Sequence, residues 1–320
     1  MDIIELAAKR LAELRRAGVQ MPGDALPHKG SETIKPAPVP ADVTLQPPPA
    51  PAAALPAADP VVTVSRRFEL DMAALAARGI VTPDAGRSQL ADEMRVLKRP
   101  LLGNVAGKSA APIRDANLIM ITSAVPSEGK TTVAANLAMS IAMELDHTVL
   151  LVDADVARPS MPSVFGFGHQ KGLLDLLTDA SLDPSQVLLR TNIEKLSILP
   201  AGTQHPRATE LLASAAMNNL LADMASRYSD RIIIFDSPPL LMTTESRALA
   251  EHMGQVVLVV RAESTKQSDV KNALMAIEAC AVKLMVLNGA TSGLDGAGYG
   301  YGYGYGYGRP GSVEPNAAHQ

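Results

Sequence analysis

Three short stretches of this sequence carry the residue types that phosphate chemistry needs. The first, SAVPSEGKTT at 123–132, matches the phosphate-binding pattern G-x-x-x-x-G-K-[ST], except that Ala124 stands at the first glycine. In such a P-loop successive backbone N–H groups point at phosphate oxygens, and Gly129 lets the backbone approach them closely. Lys130 would contact the β- and γ-phosphates, and the Thr131 hydroxyl would bind Mg²⁺. The stretch therefore predicts a nucleotide site.

The other two stretches end apolar runs with carboxylates. VLLVDADVARPS at 149–160 contains Asp153 and Asp155, and IIIFDSPPLL at 232–241 contains Asp236. Carboxylates that face one spot repel unless a cation lies between them, and Mg²⁺ bound to phosphates is a natural cation there. One of the Asp153–Asp155 pair could also accept a proton from an attacking hydroxyl. The alternative for that pair is an Asp-rich turn after a strand.

A separate feature is a tyrosine repeat, GYGYGYGYGYGR, at 298–309. Five of the six tyrosines of the chain lie in it: Tyr299, Tyr301, Tyr303, Tyr305 and Tyr307. A phenol that accepts a phosphoryl group must enter a site from outside, in line with the γ-phosphate. Glycine between the tyrosines removes bulk and stiffness, so that any of them could enter. The alternative is a self-associating low-complexity segment.

The whole chain sets limits on the class of protein. Its 320 residues are 47% hydrophobic, with a net charge of −4 and a pI of about 5.9, which leaves no overall basic footprint for nucleic acid. The single cysteine, Cys280, excludes an internal disulfide framework and fits a reducing cytosol. No apolar run approaches the roughly 20 residues that cross a bilayer. We therefore expect a cytoplasmic protein.

Alternating apolar runs and helical segments must position these residues. Six runs of Val, Ile and Leu between Asn117 and Asn288 predict strands buried on both faces, hence a doubly wound, mostly parallel α/β sheet. The motifs follow strand ends, where ligands bind in such sheets. Asn288 ends the last run, and its amide could read an adenine edge or cap a loop. The predicted domains are an amphipathic helix at 1–18, a Pro/Ala-rich linker at 19–63, the P-loop domain at 64–290 and a tail at 291–320.

The three motifs, in this order and spacing, resemble the Walker A, Walker A′ and Walker B motifs of the bacterial tyrosine kinases. These are P-loop proteins related to the MinD/ParA ATPases, and the resemblance covers about residues 65–310. It is nearest to the tyrosine autokinases of exosortase-type exopolysaccharide loci. Partitioning ATPases carry an extra lysine early in the loop, whereas Val125 follows Ala124 here and no lysine precedes Lys130.

The resemblance implies a role for each matching position. The catalytic residues would be Lys130, Asp153, Asp155 and Asp236. The residues around ATP would be Ser127, Glu128, Gly129, Lys130, Thr131, Thr132 and Asn288. Mg²⁺ would be held by Thr131, Asp153, Asp155 and Asp236, and the phosphoryl acceptors would be the five tail tyrosines.

Two departures from the family pattern affect specific contacts. The residue two after the second Walker A′ aspartate is often Arg, but here it is Ala157, with Arg158 one step later. The family also carries an Ex₂Rx₂R-like oligomerisation helix before the P-loop. At those positions the chain has Asp92, Arg95 and Lys98, which keep the charges but are shorter and less forked. The alternative is that these charged side chains pair with one another within a single helix.

The function implied is an ATP-dependent autokinase of the tail that regulates exopolysaccharide synthesis or export. Its implied partners are a membrane-embedded polysaccharide chain-length regulator, further copies in a homo-oligomer, other protein-tyrosine substrates and a tyrosine phosphatase. That regulator would recruit the chain to the inner membrane, and the helix at 1–18 is the candidate for docking. The alternatives are a MinD/ParA-like ATPase switch without phosphotransfer, and a nucleotide-binding scaffold.

Overall fold

The computed structural model of the chain describes residues 67–84, 86–227 and 231–290. These residues belong to the second of the two units into which the chain divides, residues 60–320. The predicted helix at 1–18, the linker at 19–63 and the five tail tyrosines lie outside the described residues.

The described residues form one eight-stranded sheet. Its strands are β1 (Arg67–Phe68), β2 (Leu118–Ser123), β3 (Thr148–Asp153), β4 (Leu189–Thr191), β5 (Leu196–Leu199), β6 (Arg231–Asp236), β7 (Gln255–Arg261) and β8 (Val282–Asn288). Their order across the sheet is β1-β4-β5-β3-β6-β2-β7-β8. All neighbours are parallel except the β4–β5 pair, which is antiparallel. The predicted α/β class with a mostly parallel sheet is confirmed, and β1 and β4 are additions to the six predicted strands.

Ten helices are described between and around these strands. They are α1 (Met72–Ala77), α2 (Gln89–Val105), α3 (Lys130–Ala142), α4 (Met161–Phe165), α5 (Leu173–Thr178), α6 (Pro184–Val187), α7 (Ala208–Leu212), α8 (Ala215–Arg227), α9 (Glu245–Ala250) and α10 (Gln267–Ala276). No helix in this part of the chain combines the length and the apolar character needed to cross a bilayer.

Both faces of the central strands are covered, as their unbroken apolar runs require, whereas the edge strand β8 leaves Met285 and Leu287 exposed. On β2, Leu118 and Met120 belong to one core cluster, whereas Ile119 and Ile121 belong to the other. This alternation follows from the period-two geometry of a strand. Helix α3 is buried from Val133 to Ala142 and packs in the second cluster. Each core therefore fixes one face of the central strands that end at the motifs.

The ends of the central strands bring the motif residues to one edge of the sheet. Strand β2 leads into the P-loop, and α3 begins at Lys130 directly after it. Strands β3 and β6 are neighbours in register, so that Asp153 pairs with Asp236 at their last positions. At the far side of the sheet, β8 ends at Asn288. The motifs therefore meet at the edge predicted from the sequence.

Candidate functional site

The P-loop contains two residues whose backbone angles are unfavourable for most amino acids. Ser127 has φ 66° and Gly129 has φ 91°, both in the left-handed region that side chains disfavour. A Cβ added at Gly129 would lie 2.1 Å from Nδ2 of Asn288, so the Asn288 side chain would have to move and lose its place against the loop. The backbone angle therefore favours glycine here, and the position of Asn288 depends on it. Such strain persists only where surrounding contacts hold it.

The side chain of Glu128 supplies several of those contacts. It is only 1% exposed, and its Oε2 accepts a hydrogen bond of 2.8 Å from the N–H of Val125 within the loop. Its Oε1 accepts from the N–H of Arg261, at 3.3 Å, and from the Thr265 hydroxyl. Because Arg261 ends β7 and Thr265 lies beyond it, Glu128 ties the P-loop to a segment more than 130 residues away in the sequence.

Asn288 holds the loop from a second strand. Its Nδ2 donates a hydrogen bond of 2.8 Å to the backbone oxygen of Glu128. This contact matches the loop-capping alternative for Asn288, whereas its predicted contact with an adenine edge stays a prediction. It also joins the end of β8 directly to the P-loop.

Lys130 and Thr131 begin α3 with their functional groups already engaged. The Lys130 ammonium lies 2.8 Å from Oδ2 of Asp155, and both side chains are largely buried. The Thr131 Oγ1 lies 2.9 Å from the Oγ of Ser160, the last residue of the second stretch. The structure thus brings Asp155 to Lys130 and adds Ser160 as a neighbour to which the motifs assign no role.

Asp153 and Asp236 are buried carboxylates with unsatisfied oxygens. Both residues are fully buried, and within the described part of the chain Oδ1 of Asp153 and both oxygens of Asp236 have no hydrogen-bond partner. Buried polar atoms without partners are costly, so their presence at a strand end points to a bound group. The remaining Asp153 oxygen, Oδ2, accepts a long hydrogen bond of 3.4 Å from the N–H of Met161.

The pKa values of these two carboxyls reflect the same burial. Burial, and then the nearby charge of Asp236, raise the pKa of Asp153 well above its ordinary value, while the Met161 N–H lowers it in part. Burial raises the pKa of Asp236 to about 6, with Asp155 adding to the shift. The charge of Lys130 lowers it in part, as does the hydroxyl of Thr131, although that hydroxyl bonds Ser160. The site is thus short of positive charge.

These residues fit a phosphate-bound cation rather than a metal held by protein alone. In the described part of the chain, no three acidic, His or Cys side chains are arranged to hold a metal ion by themselves. Mg²⁺ in nucleotide sites uses one or two carboxylates, with phosphates and water as its other ligands. The orphaned oxygens of Asp153 and Asp236, beside Lys130 and Thr131, match that need.

The comparisons with known proteins agree with this geometry. A model of the AAA domain family matches residues 117–284, which contain all three motifs. The tyrosine-protein kinase YwqD of Bacillus subtilis is 34% identical over 178 residues, which are 55% of this chain and 73% of YwqD. The chain belongs to the bacterial tyrosine kinase family.

Other relatives in this family are longer than the chain. The tyrosine-protein kinase wzc of Salmonella typhimurium is 31% identical over 174 residues, and these are 54% of this chain but only 24% of wzc. The chain spans less than a quarter of the Acinetobacter johnsonii kinase ptk as well, at 33% identity. The matched part of these relatives is therefore the P-loop domain.

Solved structures of the family have the same fold. The chimerical protein CapA2B2 superposes with a TM-score of 0.54 at 26% identity, covering 69% of this chain and 93% of that one. The kinase domain of the Escherichia coli tyrosine kinase ETK gives 0.53 at 23% identity, covering 75% and 94%. The P-loop fold of the family is thus shared over the described domain.

The structure also places the residues where this tyrosine kinase departs from the family pattern. Arg95 pairs with Asp92 one helical turn away, as the alternative of pairing within one helix predicted, and both are exposed. Lys98 is buried, and its ammonium donates to Ser140 O at 2.7 Å and lies 2.5 Å from Glu144. Lys98 therefore contacts α3 and the residues after it in its own domain.

Several neighbours of the site carried no signal in the sequence. Ser160 ends the second stretch, but its bond to Thr131 depends on how the loop after Asp155 turns. Thr265 and Arg261 are far from the P-loop along the chain, and only the parallel β2–β7 pairing brings them beside it. Ser127 and Thr132 lie in the P-loop as expected, and their contacts with a nucleotide stay predictions.

Proposed function

We propose that the chain is an ATP-dependent protein-tyrosine autokinase that phosphorylates the tyrosines of its own tail segment. The observation that supports it most directly is the cluster at the sheet edge. There, unpartnered oxygens of Asp153 and Asp236 lie beside the Lys130–Asp155 pair, in a chain of the tyrosine kinase family. This site has the parts that phosphoryl transfer needs, which are mainly charge and position.

The residues of the P-loop bind and orient the nucleotide in this proposal. The backbone amides after Val125 would hold the phosphates, aided by the positive end of α3, which begins at Lys130. The Lys130 ammonium would exchange Asp155 for the β- and γ-phosphates. Thr131, Asp153 and Asp236 would hold Mg²⁺, with Asp155 as a further ligand. When bound, the metal supplies positive charge that neutralises the phosphates and the buried carboxylates.

Asp155 is the candidate for moving the proton of the acceptor. It lies past the end of β3, beside Lys130, and is 5% exposed. Once Lys130 turns to the phosphates, the Asp155 carboxylate is free to accept the proton of a tyrosine hydroxyl. Asp153 and Asp236 are buried completely and have no path to such a hydroxyl. Asp153 and Asp236 would thus serve the metal alone, whereas one oxygen of Asp155 could bind the metal while the other accepts the proton.

The acceptors are Tyr299, Tyr301, Tyr303, Tyr305 and Tyr307. The contact between Asn288 and Glu128 supports this assignment, because the tail begins only three residues after Asn288. A Gly-rich chain of about 15 residues has an r.m.s. reach near 20 Å. That distance covers the site of the same copy or of a neighbouring one.

The proposed setting is exopolysaccharide synthesis or export, with a membrane-embedded chain-length regulator as activator and recruiter. Homo-oligomers would form through tails held in neighbouring sites. Each phosphate adds about −1.5 to −2 charge, so phosphorylation of the tail would dissociate the oligomer by repulsion. Sedimentation of the phosphorylated and unphosphorylated protein tests this step, since an unchanged oligomer contradicts it.

Incubation of the full chain with Mg-ATP and its activator, followed by mass mapping of residues 292–309, tests the catalytic proposal. We expect phosphate on the tail tyrosines, and none in Lys130→Met. A five-fold Tyr→Phe variant of the repeat is the matched control for the acceptor positions. ATP hydrolysis without modification of any tail tyrosine would instead support a MinD/ParA-like switch. Nucleotide binding with neither outcome would support a scaffold.

A further inference from the structure

Strand β8 leaves one edge of the sheet without a strand partner in the described part of the chain. It pairs with β7 along its whole length, from Gln255↔Val282 to Arg261↔Asn288. No other described strand pairs with it, and it is the last strand in the order of the sheet. Every second residue of this seven-residue strand therefore points its main-chain N–H and C=O to the open side, where they can pair with another strand. Natural proteins seldom leave a long edge of this kind bare.

The side chains of β8 make this edge apolar on one face. Met285 and Leu287 are 60% and 64% exposed. Because they pair with Leu258 and Val260 of β7, they share the face of the sheet that α10 covers over β7. Leu284 and Val286 point to the opposite face and pack partly into the second core. Helix α10 thus covers β7, while the same face of β8 stays open.

The tyrosine repeat has the period of a strand that would fit this edge. In GYGYGYGYG at 298–306, tyrosine and glycine alternate, so a strand of this sequence has all its tyrosines on one face and all its glycines on the other. The span from Tyr299 to Tyr307 is nine residues, against seven in β8. The repeat is thus long enough to cover the whole free edge.

The connection to β8 sets the direction of such a strand. Ten residues, 289–298, separate Asn288 from Tyr299. That length suits an antiparallel return, whereas a parallel strand needs a crossover of a dozen residues or more. A segment of the same chain also has a higher effective concentration at this edge than the β8 strand of a second copy.

We propose that residues 299–307 dock on the free edge of β8 of their own chain as an antiparallel strand. Their tyrosine rings cover Met285 and Leu287, and their glycines lie on the face of Leu284 and Val286. The surface is a binding site for the unmodified repeat. It does not depend on phosphoryl transfer, because main-chain pairing and apolar contact alone hold the segment.

Disulfide scanning in the full, nucleotide-free chain tests this docking. Met285→Cys is combined in turn with a cysteine at Tyr301, Tyr303 or Tyr305, and in matched controls at Gly302 or Gly304. Native Cys280 is buried and serves as a constant background. Under mild oxidation with oxidised glutathione, we expect intramolecular disulfides at tyrosine positions at least tenfold faster than at the adjacent glycine positions.

Three outcomes overturn the proposal. Equal rates at tyrosine and glycine positions mean random collision, disulfide-linked dimers mean that the occupant is another copy, and no disulfide means that the repeat does not reach the edge. Hydrogen exchange of β8 gives a second measurement without engineered thiols. Its amides should exchange more slowly in the wild-type chain than in a variant with all five repeat tyrosines changed to Ser. Both measurements use the nucleotide-free chain, so their outcome does not depend on whether the tyrosines are phosphorylated when ATP is present.

Discussion

The Lys130 ammonium and the Asp155 carboxylate form an ion pair of 2.8 Å, with side chains only 14% and 7% exposed. The cation that should contact phosphates is thus engaged with an acid of the second motif. A phosphate that enters the P-loop must replace Asp155 as the partner of Lys130. The exchange would release a carboxylate beside the γ-phosphate, where a proton acceptor is needed.

Asp155→Asn tests this exchange. The amide keeps the shape but cannot act as a base, so we expect tail phosphorylation to fall by about 10²-fold or more, the usual contribution of a general base. Nucleotide affinity should stay within a few fold, because Lys130 is freed from its partner. Asp179→Asn, at a fully exposed carboxylate that bonds only Ser181 nearby, is the control and should leave both unchanged. Intact phosphorylation in Asp155→Asn would remove Asp155 from the role of base.

Asp236→Asn should stabilise the nucleotide-free protein. The folded-state pKa of Asp236 is about 6, above its ordinary 3.8, so the folded chain holds this proton more tightly than the unfolded chain does. Its contribution to stability is therefore complete below about pH 4 and is lost as the pH rises through about 6. The amide removes that loss, and we expect Tm to rise by several degrees at about pH 8 and by less at about pH 5.

The same variant should lose the stabilisation by magnesium. Thermal melts with ATP, with and without Mg²⁺, give the measurement. Wild type should show an added rise in Tm when Mg²⁺ accompanies ATP, whereas Asp236→Asn should show the rise from ATP alone. A full Mg²⁺ effect in the variant would mean that Asp236 is not a ligand.

The sequence predicted the parts of this site that are local in the chain. Lys130, Asp153 and Asp236 each end or follow an apolar run, and the parallel sheet then brings the strand ends together. It could not predict that Glu128 bonds Thr265, because 137 residues separate them and no motif contains Thr265. The strands β1 and β4 have two and three residues, too few to show a period. Local sequence patterns thus predicted the residues that carry the chemistry. The contacts that hold the P-loop in place depend on the topology of the sheet, which no local pattern shows.

Glu128 should set nucleotide affinity through the shape of the P-loop. In Glu128→Ala the Val125 N–H loses its acceptor, the Arg261 N–H keeps only the Thr265 hydroxyl, and the strained φ of Ser127 loses its support. We expect ATP affinity to fall about tenfold or more, since each lost bond to a charged group costs about 1.5–3 kcal/mol. The rate at saturating ATP should change less, because Glu128 touches no reacting atom.

Two further variants separate this role from a general loss of fold. Glu128→Gln keeps one acceptor oxygen and should fall between wild type and Glu128→Ala in ATP affinity. Glu263→Gln changes an exposed acid on the same β7–α10 connection and should behave as wild type. Equal affinities in Glu128→Ala and Glu263→Gln, measured by titration calorimetry, would show that the loop keeps its shape without Glu128.

Lys98 should act in stability rather than in assembly. It is 7% exposed and bonds Ser140 O and Glu144, so Lys98→Met leaves that carbonyl unsatisfied and should cost about 1–3 kcal/mol of unfolding free energy. Arg95→Ala, one turn earlier on α2, removes only an exposed pair with Asp92 and should leave Tm within about a degree. Thermal melts of both variants measure stability, and sedimentation of both variants measures the oligomeric state. If Lys98→Met kept its Tm but lost the oligomer, the buried contacts of Lys98 would not be its main role, and its side chain would have to turn toward a neighbouring copy.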